Sequence, residues 1–152
     1  MKDKNIKTFK QVVEATNEIK SGYKNGLQAL GKYSSKIELA DTKKCEGSVN
    51  IDACTTTLYS KENRWDYAIS YNAEVYFVEV HSAHTSGVSV VLKKLQWLKD
   101  WLNSKAPELN ILKAKQQTFT WIQTNGYHIL PNSPQNRLLA QNGLRPVSKL
   151  KL

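Results

Sequence analysis

The stretch from Arg64 to His81 limits what this chain can fold into more than any other. Two runs, Arg64-Trp65-Asp66-Tyr67-Ala68-Ile69-Ser70-Tyr71 and Glu74-Val75-Tyr76-Phe77-Val78-Glu79-Val80-His81, flank Asn72-Ala73. Both are dense in Val, Ile, Tyr and Phe, the side chains that fit a pleated surface, so the stretch reads as a β-hairpin turning at Asn72-Ala73. With a loop of two or four residues, Asp66 falls directly opposite Glu79. Side chains alternate across a strand, which puts Glu79 and His81 on one face and Val78 and Val80 on the other. Asp66 then shares the face of Glu79, with Cβ atoms roughly 5 Å apart. Two carboxylates that close repel each other unless a proton or a cation lies between them. A divalent metal would relieve the conflict.

A plainer account pairs Asp66 with Arg64 or a lysine and lets Glu79 face water on a half-exposed sheet. The surroundings of Glu79 weigh against it. Apart from that acid, Val75 to Val80 reads Val-Tyr-Phe-Val-Val, an apolar run suited to a strand covered on both faces. A carboxylate buried there needs a partner.

The remaining elements build around this hairpin. Phe9, Val12, Val13, Thr16, Ile19 and Tyr23 recur at helical spacing and predict a helix from about Thr8 to Leu30, with a break near Ser21-Gly22 and a stop at Gly31. Tyr33 to Gly47 is polar and Lys-rich, a loop with some short structure. A short helix follows Ser48 or Asn50. After the hairpin, Ser86 caps a helix running to about Ser104, with Val88, Val91, Leu92, Leu95, Leu98 and Leu102 as its core stripe. Ala106-Pro107 ends it. Phe119 to Gln123 alternates as a strand, Asn125-Gly126 signals a tight turn, and Tyr127 to Leu130 returns as a second strand. Ser133-Pro134 opens a short helix that Gly143 closes, and the tail from Leu144 to Leu152 adds an edge strand.

At 152 residues the chain fits a single domain, 1–152. No apolar run approaches the roughly 20 residues needed to span a bilayer, so no membrane association is expected. The polar start, Met1 to Asn5, leads into a helix and has no apolar signal core. The only cysteines, Cys45 and Cys54, form no Cys-x-x-Cys pair. A reduced cytoplasmic setting with inert thiols is the expectation. The 22 basic and 13 acidic residues give a net charge of +9, which favours a polyanionic partner such as nucleic acid. The charge is scattered rather than blocked, so no basic arm is implied.

A strand, a long helix and a further strand suggest a crossover onto one sheet, hence an α/β fold with a mixed central sheet and flanking helices. An acid on the first arm, Asp66, and Glu79-x-His81 on the second, then a helix and another strand, resemble the PD-(D/E)xK nuclease superfamily, the restriction-endonuclease-like fold. The resemblance covers roughly Lys61 to Gln123. It implies that Asp66, Glu79 and the backbone carbonyl of Val80 hold Mg²⁺ or Mn²⁺ for phosphodiester hydrolysis of DNA or RNA, and that Asp66, Glu79 and His81 are catalytic. His81 occupies the family's lysine slot. A neutral imidazole there can accept a proton from water, or Lys93 or Lys94 of the following helix can supply the amine instead. Lys93, Lys94 and Trp97 are the residues expected to contact nucleic acid, and a homodimer is compatible with the family. Glu14 or Glu18, with Asp52 and Glu46 as remoter candidates, would add an outer carboxylate.

Other constellations are weaker. His81-x-x-His84 with Glu79 is a thin zinc pattern with no thiol nearby. Ser82 and Ser86 lack a Gly-x-Ser-x-Gly elbow, and no Gly-rich phosphate loop is present. Two further functions stay open: a nucleic-acid-binding module of the same fold without chemistry, and a protein-interaction factor of immunity or antidefence type.

Overall fold

The hairpin organises the whole sheet in the computed structural model, which describes residues 7–152. Met1 to Asn5, read above as a polar lead-in, lies outside the described residues. The elements run α1 (Phe9–Ala15), β1 (Lys24–Asn25), β2 (Ile37–Glu38), β3 (Gly47–Asn50), α2 (Ile51–Thr55), β4 (Tyr67–Tyr71), β5 (Glu74–His84), α3 (Val88–Ser104), α4 (Pro107–Ile111), β6 (Phe119–His128), α5 (Pro134–Asn142) and β7 (Leu150–Lys151). A 3-10 segment, Gln28–Lys36, stands between β1 and β2.

Asn72 and Ala73 form a two-residue loop with φ of 52° and 67°. Positive φ at both positions matches the right-handed twist of the flanking strands. The register runs from Tyr71 opposite Glu74 to Tyr67 opposite Val78. One more step brings Asp66 to Glu79, as a two-residue loop demands.

The five-stranded sheet has the order β1-β3-β4-β5-β6, and β2 and β7 pair in a separate parallel ribbon. The strands from β1 to β5 are antiparallel to their neighbours, while β6 lies parallel to β5. The sheet is therefore mixed, and α3 with α4 makes the crossover between its parallel pair. Helices cover one face, where Phe77, Trp121, Ala68 and Val49 meet Val91, Leu95 and Leu98. The other face carries Val78, Ile69 and Ile122 against Leu30, Ile37 and Leu150 of the 3-10 segment and the ribbon. β5 is thus central and covered on both sides, which accounts for its almost unbroken apolar sequence. Burying each large apolar side chain contributes about 1.5–3 kcal/mol.

Several local expectations change. The first helix stops at Ala15 instead of reaching Leu30. Thr16 turns extended and its hydroxyl donates to the Val12 carbonyl, which diverts the chain into tight turns. Glu46 caps this helix by accepting from the Phe9 and Lys10 amides. β5 continues through His81 to His84, where a linker was expected, and Ser86 makes no cap for α3. Pro107 opens α4 besides following the end of α3. Asn125-Gly126 is not a hairpin turn. Gly126, at φ 83°, lies inside β6, where the pairing with β5 shifts register between His81 and Ala83. Parallel pairing to an existing strand decided this, because the second run had a partner already and needed no return. The helices α2 and α5 start at the side-chain caps Asn50 and Ser133, Gly143 closes α5, and the tail supplies β7.

Candidate functional site

The candidate site lies midway along β5, at Glu79, with Trp121 near the start of β6 opposite it. Asp66, antiparallel to β5 and one residue before β4, enters beside it. Its position is fixed from several sides. Trp65 is fully buried beside it, against the edge of Phe119. Arg64 donates to Asp52 at 2.8 Å and to the Tyr59 carbonyl at 2.6 Å, and the Asp52 amide donates to the Asp66 carbonyl. Arg64 therefore serves Asp52, leaving Asp66 to the strand opposite.

Asp66 and Glu79 are interlocked. The Asp66 amide donates to Glu79 Oε1 at 3.2 Å, and Asp66 Oδ2 accepts from the Val80 amide at 3.0 Å. Val80 thus contributes its N–H to the site, while its side chain packs in the core of the other sheet face. Glu79 is 0% exposed. Its second oxygen, Oε2, accepts from Lys94 Nζ at 2.6 Å. Lys94 reaches in from the second turn of α3, so the crossover helix carries the counter-charge. His81 lies on the same strand face, with Nδ1 3.8 Å from Glu79 Oε2. Trp121, opposite Glu79 in the parallel ladder, donates through Nε1 to the His81 carbonyl at 2.8 Å and meets the imidazole edge-on.

The charges do not balance. Two carboxylates share one ammonium. Burial, then the Asp66 charge, pushes the Glu79 carboxyl up to about 8, although Lys94 pulls the other way. Asp66 is also raised, chiefly by burial. Burial works against the Lys94 ammonium, but Glu79, Asp66 and Asp52 together outweigh it, so Lys94 is raised. One amine does not satisfy both carboxylates, so burial biases the pair towards holding a proton. Burial and the nearby Lys94 lower His81, which keeps its imidazole neutral around pH 7.

Carboxylate oxygens are the donor type that a hard divalent cation takes, but both Glu79 oxygens and Asp66 Oδ2 already accept from protein donors. Among the described residues no group of three or more His, Cys, Asp or Glu side chains is placed to hold a metal ion. The zinc pattern also disperses: His84 stacks on His128 at 5.2 Å on the outer extension of β5 and β6.

The expected nucleic-acid contacts separate. Lys93 is exposed, Lys94 is drawn into the ion pair, and Trp97 is half-buried between stacked Trp101 and the edge of Tyr59. The remoter acids are engaged elsewhere. Glu18 accepts from Tyr59 and Trp101, Glu46 caps α1, and Asp52 holds Arg64. Neither the Arg64–Asp52 clamp nor the Trp121 bond to His81 was anticipated, since both join residues far apart in sequence without a motif. No described helix is long and apolar enough to cross a membrane.

Comparison of the chain with protein-family models, with curated proteins and with solved structures finds no match.

Proposed function

We propose that this protein is a metal-dependent nuclease, or a descendant of one, with a restriction-endonuclease-like arrangement that hydrolyses phosphodiester bonds in DNA or RNA. The observation that carries the reading is the convergence of Asp66, Glu79 and Lys94 midway along a central strand, with an imidazole beside them. Lys94 takes the part of the amine and His81 that of a proton acceptor.

Asp66 and Glu79 would hold Mg²⁺ or Mn²⁺, which supplies charge stabilisation for the phosphate and a more acidic bound water. The chain's own residues do the rest. His81, neutral near pH 7, takes a proton from the attacking water as its oxygen bonds to phosphorus. The bond from phosphorus to the leaving sugar oxygen breaks, and that oxygen takes its proton from solvent water. The Lys94 ammonium stabilises the charge that develops on the phosphate oxygens. Trp121, bonded to the His81 carbonyl, fixes the strand from which the imidazole projects.

The direct 2.6 Å contact between Lys94 and Glu79 favours a second reading, in which the amine permanently neutralises the acid and the fold binds nucleic acid without cutting it. A Mn²⁺ titration followed by thermal unfolding separates the two. The nuclease reading expects a metal-dependent rise in midpoint that disappears in Glu79→Gln, and Mn²⁺-dependent cleavage that Asp66→Ala abolishes. An equal rise in both proteins, with intact substrate, would overturn it.

A further inference from the structure

A second feature lies on the opposite face of the sheet. A cleft of about 500 Å³ is lined by Lys32, Tyr33 and Lys36 from the 3-10 segment and by Thr124 and Asn125 from β6. Thr124 directly follows Gln123, the residue opposite His81 in the parallel ladder. Tyr33 packs against the same buried cluster as Tyr67 and Val80, the chain neighbours of Asp66 and Glu79. Cleft and acid site therefore adjoin the same stretch of sheet from its two faces.

The lining has a defined chemistry. It offers two ammonium groups, a phenol, a hydroxyl and a carboxamide, and no carboxylate. Another basic hollow, around Lys10, Lys20 and Lys24, includes Glu14, and the hollow around Leu27 and Leu39 has no charged lining. Lys32 Nζ stands 5.2 Å from the centre of the half-exposed Tyr33 ring, so cation and aromatic face are presented together. An ammonium pair suits phosphate oxygens, and the half-exposed ring suits the flat face of a base once Lys32 turns from it to a phosphate. The wall that carries them is held in place. Leu30 and Ile37 are buried on either side of it, the Ala29 amide donates to Ser48 Oγ, and Gly31 turns the chain at φ 55° just before Lys32.

We propose that this cleft binds a single-stranded nucleic acid, taking phosphates on Lys32 and Lys36 and stacking one base on Tyr33. It deepens the nuclease reading and rests on it for the direction of the strand, which runs from the cleft over the sheet edge towards Asp66 and Glu79.

The test is fluorescence anisotropy of a labelled oligothymidylate and a labelled oligouridylate, without metal, across a salt series. The Lys32→Glu, Lys36→Glu double variant is expected to bind at least about tenfold more weakly, with a log–log salt slope reduced by about 1.4 for two lost phosphate contacts. Tyr33→Leu is expected to lose about tenfold with little change in slope. Unchanged binding in both variants, with circular dichroism and Mn²⁺ response like the parent, overturns the cleft and leaves the acid site standing. Loss of oligonucleotide binding in a protein that shows no Mn²⁺ response supports the cleft while removing the nuclease. Equal affinity for a polyglutamate peptide would assign the cleft to an acidic protein partner and overturn the proposal.

Discussion

Glu18 and Glu79 are both carboxylates that bond to side chains of α3, and they are treated in opposite ways. Among the described residues Glu18 receives neutral donors: the Tyr59 hydroxyl at 2.9 and 3.1 Å and Trp101 Nε1 at 2.9 Å. Burial, then the bond to Glu18, raises Tyr59 to about 12, so it remains a donor throughout the ordinary pH range. The result is a clasp that ties the turn after α1 to the Tyr59 turn and to α3. Glu79 is more deeply buried, faces a second acid and has one cation to share with it. A carboxylate met by neutral donors is finished as a structural element. One left in electrostatic competition is ready to exchange its proton or cation for a ligand.

That contrast can be broken most forcefully at Lys94. Above about pH 8, where Glu79 is ionised in the parent, Lys94→Met removes its counter-charge and is expected to cost about 3 kcal/mol in denaturant unfolding. Adding Glu79→Gln to that variant should restore much of the loss, because the buried charge is then gone. A loss below about 0.5 kcal/mol would mean that the pair is already neutral in the folded protein. At the other carboxylate, Glu18→Ala should cost about 1–2 kcal/mol by orphaning two donors, and Mn²⁺ response should be unaffected. A changed Mn²⁺ response would show that the two acids are one system.

The smallest effect is in pH. The folded Glu79 carboxyl lies near 8 against an ordinary 4.5, so the folded state holds a proton that the unfolded state has released. Stability attributable to this group therefore falls as pH rises through that window. His81, whose pKa is lowered from 6.5, acts in the opposite sense only below that value. The clean interval is pH 6.5 to about 8, where the thermal midpoint should decline in the parent and stay flatter in Glu79→Gln. Identical slopes would place the Glu79 proton outside this range.

How far the sequence carried depended on the range of the interactions involved. The hairpin, its register, the helix Val88–Ser104 and the caps Asn50 and Ser133 are local, and each could be read from neighbouring residues. β3 was missed because four residues, Gly47 to Asn50, carry no usable periodicity and become a strand by pairing with β4. Asn125-Gly126 was misread because a turn signal and a bulge signal are the same two residues, and only the adjacent β5 distinguishes them. The pairing of Glu79 with Lys94 instead of an isolated Glu-x-His motif depended on how α3 lies across the sheet.

By itself the sequence placed an acid on each hairpin arm and, for a loop of two or four residues, set them opposite each other through strand alternation; the structure has the two-residue loop. Only the tertiary structure decided what those acids meet. The choice of Lys94, the half-buried position of His81 beside it and the cleft between Lys32 and Asn125 all arise from packing between distant segments, whose geometry is set by burial and not by any spacing along the chain.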